Sequence, residues 1–190
     1  MEPIHTPLNV VSGRVLGLPS CILVAGNRPS AAIEVYLSQF INGYDGKTKT
    51  IKAANLHLSD SKRMTAVELC GIPRLHKTYA AIASLDTEKY TSSIDFVNIE
   101  VSPQTASLSP ATNISTSSLT RASPHTALSY ELDSGCLAVG SENGELTVQD
   151  LQADKLLWRS NVEASQINKI KFLSPSQVVL VSNTYHSPAK

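Results

Sequence analysis

Apolar and polar residues alternate most clearly within 127–181. Leu128, Tyr130 and Leu132 are separated by single polar residues. This period of two predicts a strand with one buried face. The apolar run Cys136 to Val139 comes next, and short runs of this kind are typical of strands that are covered on both faces.

The same stretch then contains a hairpin and the start of a new cycle. Asn143-Gly144 is a turn pair that tolerates positive φ, and alternating residues follow it up to Asp150, which predicts a hairpin. A fourth strand is predicted at Leu156, Leu157 and Trp158. Two further strands are predicted from Ile167, Ile170 and Phe172 and from the run Val178 to Val181. The stretch therefore predicts a four-stranded antiparallel unit and the first half of another.

Earlier parts of the chain repeat this cycle less regularly. Strands are predicted around 9–16, 21–25, 33–37 and 51–58, and then around 64–69, 79–84 and 94–101. The interval from Cys136 to Val178 is about 42 residues, within the roughly 40–45 residues of a propeller repeat. The two earlier intervals, about 59 and 56 residues from Cys21 to Ala80 and from Ala80 to Cys136, are longer by about the length of their loops. The pattern predicts three units and the start of a fourth.

The segment 102–126 differs from its surroundings because it is rich in Ser, Thr, Pro and Ala. It shows no periodic apolar face, so we predict a long, exposed, mobile loop inside one domain that spans 1–190. Ser102-Pro103, Ser109-Pro110 and Ser123-Pro124 give a second interpretation, as proline-directed phosphorylation sites that would add negative charge to the loop.

The stretch from Val139 to Asp150 resembles the middle of a WD40 propeller blade. It has a strand ending in small residues, then the Asn143-Gly144 turn, then an alternating strand that ends at Asp150. Gln149 stands where the family has Trp, and the Gly-His pair that often opens a blade is absent. The resemblance implies an all-β fold, a partial WD40-type β-propeller of antiparallel four-stranded sheets. Because a closed propeller needs roughly four to eight blades, we expect an open ring with exposed sheet edges and apolar faces.

Three segments are similar to the middle blades of the forty-three-kilodalton WD-repeat nucleoporin family, namely 143–158, 167–173 and 177–183. This resemblance implies a non-enzymatic scaffold subunit in the Y-shaped outer ring of the nuclear pore complex, supporting protein and mRNA transport. Its partners would be other outer-ring nucleoporins. It would lie in the nucleus, at the nuclear envelope, with kinetochores as a mitotic location in some animals and the cytoplasm otherwise. The alternative is a generic WD40 adaptor, either a ubiquitin-ligase substrate receptor or a trafficking subunit.

Composition narrows the possible partners. Lysine plus arginine and aspartate plus glutamate each number 16, so the formal net charge is zero. This balance gives no electrostatic footprint for nucleic acid or an anionic membrane. The first residues lack a basic region and a continuous apolar stretch, so we expect neither a signal peptide nor a membrane span. Cys21, Cys70 and Cys136 show no CxxC spacing, and we expect buried free thiols in a reducing, intracellular compartment.

Candidate chemistry is sparse. None of the five histidines has a partner at metal-ligand spacing, and no nucleophile-elbow, phosphate-binding or dinucleotide-binding motif occurs. The histidines are His5, His57, His76, His125 and His186. We therefore expect no catalytic, cofactor-binding or metal-binding residues, no cofactor, no small-molecule substrate and no enzymatic activity. A hydrolase that uses an unrecognised His/Asp pair, with His57 or His76, remains the competing class.

Two further residues have structural and functional interpretations. Asp150 is expected to stabilise a turn by accepting backbone hydrogen bonds. Trp158, the only tryptophan, is expected to pack against the next blade. Tryptophan is also enriched at the centres of protein interfaces, so a role in partner binding is its alternative.

Overall fold

The computed structural model describes residues 7–13, 21–27, 31–40, 48–72, 75–101, 105–114, 119–162 and 166–183. Within these residues the chain forms fourteen β-strands in four antiparallel sheets. The first sheet contains β1 (Pro7–Gly13), β2 (Cys21–Gly26), β3 (Ala32–Phe40) and β4 (Thr48–His57). The second contains β5 (Lys62–Ile72), β6 (Lys77–Asp86), β7 (Thr91–Val101) and β8 (Ala106–Pro110).

The third sheet contains β9 (His125–Glu131), β10 (Cys136–Ser141), β11 (Glu145–Asp150) and β12 (Lys155–Asn161). The fourth contains, among the described residues, β13 (Gln166–Ser174) and β14 (Gln177–Asn183). In every sheet the strands lie in chain order and each pairs with the next, as in a meander. The structure thus confirms the predicted three four-stranded units and the start of a fourth.

Tight turns that match local sequence connect several of these strands. Gly144 has φ of 81°, a left-handed conformation that glycine adopts without steric cost, and it follows Asn143 between β10 and β11. At the end of β11 the Asp150 carboxylate accepts hydrogen bonds from the backbone N–H groups of Gln152 and Ala153 at 2.8 and 2.9 Å. The predicted turn-stabilising role of Asp150 is confirmed.

Apolar residues alternate between the two faces of the second sheet, and both faces are covered. Ala80 and Ile82 of β6 pack against the first sheet, where Ala25 and Ile33 belong to the same cluster. Ala81, like the other residues of β6 that point to the opposite face, packs against the third sheet. Nearly all of β6 is therefore buried, which is why its sequence is a continuous apolar run.

The sheets follow one another face to face with their first strands side by side. β1 contacts β5, β5 contacts β9 and β9 contacts β13, while the outer strands β4 and β8 also contact each other. A third cluster joins Ala127, Ala138 and Leu146 of the third sheet to Ile167 and Ile170 of the fourth. Sheets that radiate from a common row of inner strands are the blades of a β-propeller, here a partial one.

Side-chain hydrogen bonds connect neighbouring sheets. The Asn27 side chain donates to the Met64 carbonyl and accepts from the Met64 N–H, both at 2.8 Å. The Tyr130 hydroxyl of the third sheet donates to the Gly71 carbonyl of the second. Each of these side chains satisfies backbone groups at the boundary between two sheets. The hydrogen bonds therefore fix the position of one blade relative to the next.

The segment 102–126 departs from the predicted loop. Residues Ala106–Pro110 form β8, the outer strand of the second sheet, which pairs with β7. Ile114 and Leu119 are buried in the cluster between the second and third sheets. The prediction failed because an outer strand is half exposed, so its Ser and Pro residues hide the apolar alternation of Ala106 and Leu108. The mobility and phosphorylation of this segment, and the single domain, stay predictions.

The described residues contain no helix long and apolar enough to cross a membrane. Cys70 and Cys136 are buried free thiols, as expected, whereas the side chain of Cys21 lies outside the described part.

Candidate functional site

Among the described residues, the fourth sheet buries apolar side chains on one face. Ile167, Ile170 and Phe172 point towards the third sheet and are buried there. On the opposite face, Val179 and Val181 are 46% and 53% exposed. Their cross-strand partners in β13 are lysines.

Trp158 lies where the third sheet extends beyond the fourth. Its side chain is 48% exposed. Trp158 is paired with Val148, and Val148 with Ala138, so all three lie on the face that carries the fourth sheet. Because the residues that follow β14 lie outside the described part, the packing of Trp158 against the next blade stays a prediction.

The first and second sheets show how this position is filled elsewhere. The outer strand β4 contributes Ala54 and Leu56, which pack in one cluster with Val97 and Ile99 of β7 and with Leu108 of β8. The third and fourth strands of the second sheet therefore cover the outer part of the first sheet. Over β11 and β12, no described strand takes these two positions.

We call Val148, Trp158, Val178 and Leu180, together with the edge of β14 that no described strand pairs with, the open face. All four side chains are partly exposed, and Val148, Val178 and Leu180 pack against the buried cluster between the third and fourth sheets. An apolar surface that borders a core and ends at an unpaired strand edge is a favourable site for protein association.

The last three described strands contain basic residues. β12, β13 and β14 contain Lys155, Arg159, Lys169 and Lys171 and no aspartate or glutamate. Arg159 lies 3.5 Å from the Glu145 carboxylate, which also pairs with Arg121, a residue that precedes β9. By register, Lys169 and Lys171 lie on the face of β13 opposite the open face, and Lys155 is paired with Asp150 across β11 and β12.

Glu68 and Cys70 are ionisable residues on the inner strand β5. Burial raises the pKa of Glu68 on β5 from 4.5 to about 7, although the charge of Lys171 and the backbone N–H of Tyr130 act in the opposite direction. The thiol of Cys70, two residues further on, is fully buried and its pKa is raised mainly by that burial. A buried neutral thiol is inert, so this group does not form a nucleophilic centre.

A pocket of about 390 Å³ opens where the inner strands β5, β9 and β13 begin. The residues that line it are Arg63, Met64, Thr65, Leu85, Thr126, Gln166 and Asn168. This set has hydroxyl, amide and guanidinium groups but no side chain that can exchange a proton near neutral pH. The pocket can therefore bind a polar group and has no general acid or base.

The three histidines of the described part lie in different environments. His57 ends β4 with an exposed side chain, and His76 lies in an exposed turn with φ of 48°. His125 is buried, and burial is the largest cause of its lowered pKa. His5 and His186 lie outside the described residues, and no group of three or more His, Cys, Asp or Glu among the described residues could hold a metal ion.

His125 has a structural importance that its sequence context does not signal. A ring nitrogen, Nε2, lies 2.6 Å from the Leu119 carbonyl, and the backbone N–H donates to the Ser92 hydroxyl at 3.0 Å. Arg121 and Ser92 exchange two backbone hydrogen bonds at 2.7 and 2.9 Å. This part of the chain therefore anchors the third sheet to the second immediately before β9 begins.

Comparisons with known proteins give structural neighbours only. No family model and no curated protein matches the sequence. The structure of Sqt1 from Saccharomyces cerevisiae has a TM-score of 0.43 at 11% identity, covering 92% of this chain and 56% of that one. Raptor from Chaetomium thermophilum has 0.44 at 9%, covering 94% and 20%. The Cps50 (Swd1) β-propeller domain of Myceliophteria thermophila has 0.38 at 9%, covering 94% and 65%.

This chain thus spans about half of the Sqt1 structure and a fifth of the Raptor structure. These scores and identities are too low to indicate a shared function. The assignment of a partial propeller rests on the sheets, their order and their packing.

Proposed function

We propose that this chain is a non-enzymatic scaffold protein that binds other proteins through the surfaces of a partial propeller. The open face is the observation that carries the proposal. Trp158 and its apolar neighbours are only partly covered, and tryptophan contributes strongly where it enters a desolvated interface. A partner that covers them removes apolar surface from water, at about 25 cal/mol per Å² before the costs of association.

We further propose that the partners are nucleoporins of the nuclear pore outer ring, and that the protein lies at the nuclear envelope. The resemblance of the segments 143–158, 167–173 and 177–183 to the forty-three-kilodalton WD-repeat nucleoporins supports this choice. These segments cover β11 and the first part of β12, nearly all of β13, and β14. They thus include all four residues of the open face.

Proximity labelling of the tagged 190-residue chain in dividing cells tests this function. We expect enrichment of outer-ring nucleoporins and a signal at the nuclear rim. Enrichment of cullin-type ligase subunits or of coat subunits would reject the nucleoporin assignment and favour the generic adaptor. Labelling no stronger than that of a freely diffusing tag would reject the scaffold function itself.

A further inference from the structure

We infer that the contact between the second and third sheets is acid-sensitive: when His125 takes up a proton, the segment 119–124 separates from the second sheet. This inference concerns two sheets that lie inside the row of sheets, and it does not depend on the proposed protein-binding function. It follows from the burial of the imidazole ring, the hydrogen bonds of its two nitrogens and the charges that face it.

The segment 119–124 lies against the second sheet just before the chain enters β9. Leu119 is 1% exposed and belongs to the cluster between the second and third sheets. Arg121 exchanges two backbone hydrogen bonds with Ser92 of β7. The Ser92 hydroxyl accepts from the backbone N–H of His125 and donates to the Ser84 carbonyl at 3.1 Å. His125 therefore stands where the segment, β7 and β9 meet.

The hydrogen bond to Leu119 determines which ring nitrogen of His125 carries the hydrogen. Nε2 lies 2.6 Å from the Leu119 carbonyl oxygen. A carbonyl oxygen can only accept, so Nε2 carries the hydrogen and Nδ1 is the bare nitrogen. Nδ1 is buried and has no hydrogen-bond partner among the described residues. The site therefore fits a neutral imidazole, and a second ring N–H would find no acceptor in it.

The charges that face the ring add little support for a second cation. Burial is the largest cause of the lowered pKa of His125, and the charge of Arg121 lowers this pKa further. The Leu119 carbonyl and the Glu145 carboxylate of β11 act in the opposite direction. This carboxylate lies 2.9 Å from Nε of Arg121 and 3.5 Å from Nε of Arg159. Its charge is thus already shared by two arginines.

Protonation of His125 therefore has to change the structure around it. A charged imidazole that stays buried without an acceptor costs free energy, and it can reach water only by leaving its site. Leaving breaks the hydrogen bond to Leu119, which joins the ring to the segment 119–124. The pairing of β9, β10 and β11 uses backbone groups and not the ring. We therefore expect the segment to separate while the third sheet stays formed.

The sign of the pH dependence follows from the two states of His125. Its pKa is 6.5 when the ring is in water and lower in the buried site. Between these two values the separated form binds a proton that the closed form does not. The contact is therefore fully stable above pH 6.5 and weakens as the pH falls. Uptake of one proton changes the equilibrium constant for separation by up to about tenfold per pH unit.

Two substitutions of histidine by glutamine form a matched pair. His125→Gln is the test variant, because the amide N–H can still donate to the Leu119 carbonyl and takes up no proton in this pH range. His76→Gln is the control, because His76 lies in an exposed turn. Glu68 contributes a pH dependence of opposite sign to the parent and to both variants. Differences among the three proteins therefore report on His125.

Hydrogen exchange of the amides of Ser92 and Arg121 gives the readout, because these two amides bond across the contact. Rates are compared between proteins at the same pH, so that the intrinsic effect of pH on exchange cancels. From about pH 7.5 to about pH 5.5, we expect the ratio of the parent rate to the His125→Gln rate to rise by up to about tenfold. The ratio of the parent rate to the His76→Gln rate should stay constant, and amides of β10 should show no such rise.

A parent to His125→Gln ratio that is equal at both pH values would overturn the inference. A rise of the same size in every sheet would also overturn it, since the contact would then not open separately.

The parent protein alone decides the question if His125→Gln does not fold. Titration of the imidazole C–H signals by nuclear magnetic resonance follows the five histidines, and single substitutions of the other four assign the signal of His125. We expect His125 to titrate at lower pH than His57 and His76, together with a change in the amide signals of Ser92 and Arg121. Titration at the same pH as the exposed histidines, or without any change at these amides, would overturn the inference.

Discussion

The second and fourth sheets have similar strand sequences and different surroundings. β6 in the second sheet carries apolar residues on both faces, and both are buried because a sheet lies on either side. β14 in the fourth sheet also carries them on both faces, yet Val179 and Val181 remain about half exposed. The same pattern thus gives a core strand in one place and an exposed apolar surface in the other.

In this fold, the neighbouring sheet determines whether the apolar residues of a strand are buried. Each sheet buries its faces only against the sheets beside it, so stability is distributed along the row of sheets, as in proteins built from repeats. An inner sheet gains from two interfaces and an end sheet from one. Among the described residues the fourth sheet has one such interface, so we expect local opening to cost less there than in the second sheet.

The largest expected effect comes from truncating one apolar residue in each sheet. Ile82→Ala in β6 removes a fully buried side chain and is expected to lower the free energy of unfolding by about 2–5 kcal/mol. Val179→Ala removes a half-exposed side chain and is expected to change it by less than about 0.5 kcal/mol. Urea denaturation followed by circular dichroism measures both. Equal effects would contradict the contrast between the two sheets.

A smaller effect is expected at the contact between the third and fourth sheets. A Cβ on Gly140 would lie 2.6 Å from the Cγ2 of Ile167, so Gly140→Ala must push β13 away. We expect a loss of about 1–3 kcal/mol and faster hydrogen exchange in β13 and β14. Exchange in β6 should stay unchanged, because the second sheet does not touch this contact. Uniformly faster exchange in all sheets would mean that the fourth sheet does not open separately.

The smallest effect is a pH dependence from the inner strands. The pKa of Glu68 is about 7 in the folded chain against 4.5 as its ordinary value, so between these values the folded state binds a proton that the unfolded state has lost. Stability from this group is therefore complete below pH 4.5 and is lost as the pH rises to about 7. Glu68→Gln should remove this dependence and be more stable than the parent at pH 7.5.

The control for this prediction is Glu88→Gln, which changes an exposed turn residue of the second sheet. Its unfolding midpoint should follow that of the parent protein at every pH. Parallel pH profiles for the parent and Glu68→Gln would show that Glu68 titrates as it does in the unfolded chain.

The sequence predicts the architecture well where turns and alternation agree. The strands β9 to β14 lie within three residues of their predicted positions, because Asn143-Gly144 sets a hairpin and the inner strands are strongly apolar. The turn role of Asp150 was also predictable, since Asp at the end of a strand accepts nearby backbone hydrogen bonds.

The features that could not be predicted from the sequence depend on contacts between residues that are far apart in the chain. β8 was missed because an outer strand with one exposed face tolerates Ser and Pro. The exposure of Trp158 depends on how far the next sheet extends, which the residues around Trp158 do not encode. The anchoring role of His125 arises from contacts with Ser92 and Leu119, and the contact with Ser92 forms only when the second and third sheets meet.

The most direct measurement is hydrogen exchange of the backbone amides of β6 and β14 in the same protein. The account predicts slow exchange for the amides of β6, which lies between two sheets, and faster exchange for several amides of β14, because the described residues pair only one of its edges. Equally slow exchange in both strands would show that β14 is protected like a core strand and would contradict the account.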